Sequence, residues 1–368
     1  MKIAFIFNEG RIRRLEKIRN GSAANEFYYG AIQLQQRGYV VEYYEVNDLP
    51  RPSIGQKIVD ILFKSHLLPT RVNGSLLMQT ISICRKLEKV DIIVATSTGL
   101  AFAFGLLKSL KLIEPQIVAL CLTLIYHKHS WLRSRINGFV LRRIWTQLFG
   151  DSEREGIAKM FNVPENHILV NQYGVDINYW TPAGKEEDYV LSVGNDSRRD
   201  YDLLLDVARK VNLPFLIVTV NKISGPIPEN VKIISGTKPS DDPIDDQLRE
   251  LYRKAMCVVL PIKETIRPSG QSVCLQAMSC GKTVILSKTQ GLWSTKMLQH
   301  NKNIILIPPG DEEALAQAII AIDKDSEKRK NIGIQARENI CSEGNISIFA
   351  DRLENLIKKV LQENNINI

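Results

Sequence analysis

The residues best suited to chemistry lie in the stretch 261–286, PIKETIRPSGQSVCLQAMSCGKTVIL. Ser269-Gly270-Gln271-Ser272 is a small, polar run between an apolar strand end and an apolar segment with helical spacing. The spacing predicts a helix over 273–279 and a second strand over 283–286. Gly281 falls at the helix C-terminus, where glycine takes the left-handed conformation without steric cost. A Ser-Gly loop that opens a helix presents backbone N–H groups at the positive end of the helix dipole, which is an anion site. The same pattern also fits a plain strand–helix–strand connection, so spacing alone leaves both readings open.

Other chemistries lack their residues. No G-x-G-x-x-G follows the first strand, which removes the standard dinucleotide fingerprint. Gly281-Lys282-Thr283 resembles the end of a P-loop, but its first glycine would fall at Gln276 and the run leads into a strand. There is no H-E-x-x-H, no G-x-S-x-G and no Cys/His ligand spacing, which argues against a zinc enzyme or an α/β-hydrolase.

The elements that must position the 261–286 stretch form two α/β series. In the first, strand 2–7, a helix over 23–37 ended by Gly38 and strand 39–46 make one βαβ unit. Strand 91–96, an apolar helix opened by Ser97-Thr98-Gly99 and strand 116–124 continue it; 50–87 reads as loosely helical. Leu132, Ile136, Val140, Ile144 and Leu148 recur every four residues, which predicts a helix through 127–145. That segment carries five Lys or Arg and no acid, with Trp131, Phe139 and Trp145 interleaved. It reads either as a membrane-surface helix or as a docked helix with a solvated basic side. Helix 151–161 and strand 168–171 precede a turn-rich break at 172–188. The second series has strands 189–193, 215–220, 231–234, 257–260, 283–286 and 304–307 with helices 201–211, 245–255, 273–279 and 312–322. A periodic closing helix spans 349–361. The expected domains are 1–176, 177–345 and a closing helix in 346–368.

A chain of 368 residues has room for two such domains, and its 44% hydrophobic and 24% charged content is that of a globular protein. The net charge of +8 suggests an anionic partner. Six scattered cysteines without a C-x-x-C pair fit buried thiols in a reducing compartment. No secretory pattern follows MKIAFIF, and the apolar runs are too short to span a bilayer, so the expected location is cytoplasmic, with contact at the membrane inner face open.

With both series in view, the chain resembles the retaining nucleotide-sugar glycosyltransferases of family 4, which have two Rossmann-like domains facing across a cleft (GT-B). Val170-Asn171-Gln172-Tyr173-Gly174-Val175-Asp176 is similar to the family's "PNGVD" linker, and Leu191-Ser192-Val193-Gly194 to the start of its second domain. Gln276-Ala277-Met278-Ser279-Cys280-Gly281-Lys282 stands where the family has "EAMacGkP", and 308–315 where it has "pgd-eaLa". The first half matches in outline only.

The resemblance implies a donor site on the second domain. Ser269, Gly270, Gln271, Ser272 and Val273 would place backbone N–H groups on the donor diphosphate. Arg198 and Arg199, in the loop opened by Gly194, stand near the family's basic diphosphate clamp. An arginine there would neutralise the leaving group. Of the family's paired glutamates, the second falls at Gln276, which can still bond ribose hydroxyls. The first falls at Pro268, with Glu264 upstream as a substitute. The resemblance also implies a histidine near the reacting sugar, either His127 or His129, and a first-strand loop with Gly21 and Ser22 near phosphate and acceptor. Arginines in that loop suit a phosphorylated or lipid-linked acceptor.

The implied reaction moves a sugar from a nucleoside-diphosphate donor to a hydroxyl with retention, the leaving diphosphate acting as base. No cofactor beyond that co-substrate and no metal is implied. Polysaccharide, glycolipid or other glycan synthesis are the expected settings. The alternatives are an inverting GT-B transferase or epimerase, and a catalytically degenerate GT-B protein kept as a binding partner. Nucleic acid is not expected as a ligand, because the basic residues lack an RNA- or DNA-binding motif.

Overall fold

The strands pair in parallel in two separate six-stranded sheets, as expected for apolar strands joined by crossover helices. The structure, a computed structural model, describes residues 1–8, 10–46, 68–121, 124, 130–236 and 244–364. Contacts divide the chain into two units. The first comprises Met1–Leu15, Tyr28–Gln172 and Ala350–Ile368, and the second Glu16–Phe27 and Tyr173–Phe349.

The first unit contains β1 (Lys2–Phe7), β2 (Val40–Glu45), β3 (Ile92–Ala95), β4 (Gln116–Cys121), β5 (Trp145–Leu148) and β6 (Ile168–Val170). They lie in the order β2-β1-β3-β4-β5-β6. Its core combines inward strand residues such as Ile6, Ile93 and Ala119 with Phe102 and Phe104 of the helix Thr98–Ser109. Ser97 caps that helix through Leu100 N–H, as its sequence position predicts. The C-terminal part of the helix Ile346–Glu363 belongs to this unit, where Arg37 pairs with Asp351 and Glu354, and Lys359 lies over Trp145.

Two expected helices are interrupted. The segment 23–37 is not one helix: a 3-10 turn at Glu26–Tyr28 ends at Tyr29 (φ 50°) and Gly30 (φ 81°), and a helix resumes at Ala31–Gln36. Two successive left-handed residues cannot be accommodated inside a helix. Of the segment 127–145, residues 127–129 lie outside the described residues, and the rest is helical over Trp131–Leu141 and turns into a strand at Trp145–Leu148. Leu148 belongs to that buried strand and Ile144 is buried just before it, and a spacing of four fits the strand period of two as well as the helix.

The second unit contains β7 (Val190–Val193), β8 (Phe215–Thr219), β9 (Val231–Ser235), β10 (Cys257–Leu260), β11 (Val284–Ser287) and β12 (Ile305–Ile307). Their order is β12-β11-β10-β7-β8-β9. The chain winds outward from β7 to β9, returns to pair β10 with β7, and winds outward the other way. From the carboxyl ends of β7 and β10 the chain therefore continues toward opposite edges of the sheet, a topological switch point, where open α/β sheets form their ligand crevice. An 18-residue helix, Ser326–Glu343, was not foreseen from the sequence. Its Arg337 donates to the carbonyls of Ile177, Trp180 and Ser279 and fixes the chain that enters the unit. Gly174 is required by close approach: a Cβ there would lie 2.6 Å from the Asn345 carbonyl oxygen. Among the described residues no helix is long and apolar enough to cross a membrane.

Candidate functional site

Loop 194–200 follows β7, and its residues are fixed from within. Asp196 accepts from Arg198 N–H at 2.9 Å with one carboxylate oxygen and from the Ser269 hydroxyl with the other. Asp200 caps the helix Tyr201–Lys210 through Leu203 N–H. The loop after β10 runs alongside, with Asp200 N–H donating to Pro261 O and Lys263 N–H to Arg198 O, both at 2.9 Å. Arg199 and Ile262 form an antiparallel bridge between the two loops.

This pairing lays the Arg199 guanidinium between two glycines. A Cβ on Gly194 (φ 151°) would collide with Arg199 Nε, and one on Gly270 (φ 78°) would lie 2.8 Å from Nη1. Only residues without side chains let the guanidinium approach the backbone of both loops. Arg199 is 6% exposed, yet its Nε and Nη1 have no hydrogen-bonding partner among the described residues. A buried cationic donor without an acceptor is costly, by about 1–3 kcal/mol or more for each unmet group, and such a group suits a bound anion.

The helix Gln271–Ser279 starts at this point, two residues earlier than the spacing suggested. Gly270 precedes it in the left-handed conformation and, as a glycine, supplies no capping side chain. The positive end of the helix dipole and the guanidinium therefore converge at Gly270. Gly281 closes the helix with φ 72°, as its type predicts. The charge of Arg199 reaches inward as well: burial raises the titration points of Tyr201, Tyr252 and Cys274, and Arg199 pulls each back down.

Gln276 lies farther along the same helix, 3% exposed. Its Nε2 donates to Glu26 Oε1 at 2.9 Å, and its Oε1 accepts from the Tyr252 hydroxyl at 3.3 Å. Glu26 was not singled out in the sequence. It is fully buried; its Oε1 also accepts from Trp180 Nε1 at 2.8 Å and its Oε2 from Asp176 N–H at 3.4 Å. Burial above all, with the neighbouring charges of Asp245 and Asp176 and against the bonds from Gln276 and Trp180, pushes its carboxyl up to about 7. The preceding residues are held likewise, with Ala24 N–H on Asp245 and Asn25 N–H on Asp176. These bonds tie the segment Glu16–Phe27 into the second unit. The available sequence signal was one acid within an apolar run, Ala23-Ala24-Asn25-Glu26-Phe27-Tyr28-Tyr29.

Arg199, Gly194, Ser269, Gly270, Gln271, Ser272 and Val273 thus share one loop cluster. Arg198 is half-buried and joins it through its backbone. Glu264 is exposed, and its Oε1 accepts N–H groups of Thr265 and Gln290, both at 2.9 Å, which ties two loops. Gly21 (φ 70°) and Ser22 end a short helix, Arg14–Arg19, with Ser22 Oγ donating to Lys17 O. No hydrogen bond among the described residues links them to Arg199. His127 and His129 lie outside the described residues. Among the described residues there is no group of three or more His, Cys, Asp or Glu placed to hold a metal.

Residues 188–325 match the family described as glycosyl transferases group 1. No curated protein matches the chain by sequence. Solved structures match it in fold across nearly its whole length. The sucrose-phosphate synthase of Thermosynechococcus elongatus has a TM-score of 0.71 at 16% identity, covering 99% of this chain and 100% of that one. Anabaena HepE in complex with UDP-glucose has 0.70 at 13%, covering 98% and 100%. A glycosyltransferase from Rickettsia africae has 0.68 at 14%, covering 98% of each. The two-unit α/β fold is that of GT-B glycosyltransferases, and the similarity to the glycosyl transferases of group 1 falls within its second unit.

Proposed function

We propose that the protein transfers a sugar from a nucleoside-diphosphate donor to a hydroxyl acceptor, with retention of anomeric configuration. The observation that carries this reading is the buried Arg199, whose Nε and Nη1 lack acceptors among the described residues beside the start of the helix Gln271–Ser279, where the N-cap is a glycine. Two fixed positive features at one point suit a diphosphate, whose charge grows as the glycosidic bond breaks. The UDP-glucose complex of the similarly folded Anabaena HepE supports a donor of this class. Arg199 and the N–H groups of the helix start stabilise the departing diphosphate. A diphosphate oxygen on the face it vacates takes the proton of the incoming hydroxyl, so no protein nucleophile is needed. The basic residues of 11–19 suit a phosphorylated or lipid-linked acceptor, as in polysaccharide or glycolipid synthesis.

A specific observation favours a second reading, that of a degenerate partner protein. Pro268 and Gln276 stand where the resembled family has acids, and the Gln276 amide is already bonded to Glu26 and Tyr252. A thermal-shift screen with UDP, GDP, ADP, CMP and dTDP, on the wild type and on Arg199→Ala, separates the two. Stabilisation by one diphosphate, about 2.7 kcal/mol at a hundredfold excess over Kd and lost in Arg199→Ala, supports the transferase and identifies the base. A folded protein that responds to none of them leaves the partner reading.

A further inference from the structure

We infer that the helix Trp131–Leu141 is a docking surface for an anionic lipid bilayer. Its inner face is spent on packing: Asn137, Gly138, Val140 and Leu141 are buried, and the Asn137 amide bonds the Thr70 hydroxyl at 2.8 Å. The outer face is of another kind. Trp131 is 70% exposed, Leu132 and Phe139 38% each, and Arg135 is exposed among them. At helical spacing these four fall within an arc of about 100°, and the exposed Arg142 and Arg143 follow at the helix end. Arg135 lies over the Trp131 ring at 4.8 Å and Arg143 over Phe139 at 5.5 Å. Between Glu114 and Asp151 the chain has no acidic residue. Apolar anchors interleaved with unneutralised arginines fit the headgroup layer, where aromatic rings sit at the acyl boundary and guanidinium groups meet lipid phosphates.

Charge and geometry select this occupant over two others. A second copy docked by two-fold symmetry would bring this arginine-rich face against itself, like charge on like. A nucleic acid would use free aromatic faces for stacking, whereas the Trp131 ring is covered by Arg135, and Leu132 and Phe139 would gain nothing from phosphates. The inference stands independently of the transferase reading and would place the enzyme of that reading beside a membrane-borne acceptor.

The test is flotation of the full chain with vesicles of phosphatidylcholine alone or mixed with phosphatidylglycerol, some carrying brominated acyl chains. Trp131 is exposed while Trp145, Trp180 and Trp293 are at most 4% exposed, so quenching by bromine reports this helix. The expected result is flotation with the anionic vesicles only, weakened by salt and accompanied by quenched emission. Arg135→Glu with Arg143→Glu should lower binding by about thirtyfold from the two lost positive charges alone. Trp131→Ala with Phe139→Ala should abolish it. Both pairs are exposed, and an unchanged melting temperature and nucleotide response would show that the variants remain folded. Absence of flotation overturns the inference, as does equal flotation with both vesicle types or variants that float like the wild type. So does arginine-dependent binding of an oligonucleotide, or a dimer dispersed by these substitutions. Each of these outcomes leaves the thermal-shift result with nucleotides untouched.

Discussion

Glu26 provides a titration that can be read in the stability of the second unit. Its folded-state value of about 7 lies above the ordinary 4.5, with burial as the largest cause. The native state therefore holds this proton more tightly than the unfolded chain does. Stability from that proton is fully present below 4.5 and is lost as pH rises to about 7, after which the loss is constant. At about 1.36 kcal/mol per unit, the shift amounts to roughly 3 kcal/mol. Glu26→Gln removes the titration and keeps one oxygen for the two donors that share Oε1, Trp180 Nε1 and Gln276 Nε2. Urea unfolding of both proteins, followed by tryptophan emission at about pH 5 and about pH 8, measures the difference. The variant should gain on the wild type by about 2–3 kcal/mol between those two values. A stability difference that stays constant across this range would show that Glu26 is not held protonated by its surroundings, and the assigned cause would fail.

Further outcomes follow from the same unit. Arg199→Met should leave the melting temperature unchanged or raised, since it removes a buried charge whose Nε and Nη1 have no protein acceptor, while diphosphate affinity falls by at least about tenfold. A lowered melting temperature with unchanged affinity in calorimetric titration would make Arg199 structural instead. Gly270→Ala should cost about 1–2 kcal/mol from the left-handed backbone alone, and it should weaken nucleotide binding by displacing Nη1. Arg337→Ala strands the carbonyls of Ile177, Trp180 and Ser279 and should destabilise the protein by about 2–4 kcal/mol in denaturant unfolding. The folded protein's affinity for a diphosphate should fall only modestly with it.

Strands and helix caps were the legible part of the sequence, because they depend on neighbours in the chain. Ser97, Asp200 and Asp311 each cap the helix that follows, β10 is a continuous apolar run, and β1 and β7 are apolar but for Lys2 and Ser192. The two misread helices failed for different reasons. Apolar periodicity says that a residue is buried without saying in which element, so Ile144 and Leu148 passed for a helical stripe. Left-handed Tyr29 and Gly30 broke the other run because the residues before them bond to Asp176, Asp245, Trp180 and Gln276, all distant in sequence. Local propensity carries no trace of such partners.

The candidate site divides along the same line. That Ser269-Gly270 opens a helix could be read from residue types, and the structure adds what spacing could not contain. Gly194 and Gly270, 76 positions apart in the sequence, leave space for one guanidinium because β7 and β10 are neighbours at the switch point of the sheet. The same neighbour relation gives Gln276 a meaning that its residue type alone lacks. Glutamate at 276 would set a carboxylate against Glu26 Oε1, 2.9 Å from the present amide nitrogen, in a setting that already raises the titration of Glu26. Two such groups cannot both ionise at that distance without one shifting strongly upward. Glutamine instead donates to the acid and accepts from Tyr252. The amide at 276 and the acid at 26 are therefore one choice, and restoring glutamate by Gln276→Glu should destabilise the native state above about pH 7 by a few kcal/mol. The double variant Glu26→Gln with Gln276→Glu should recover most of that loss in the same urea titration. If it recovered none, the pairing would be incidental.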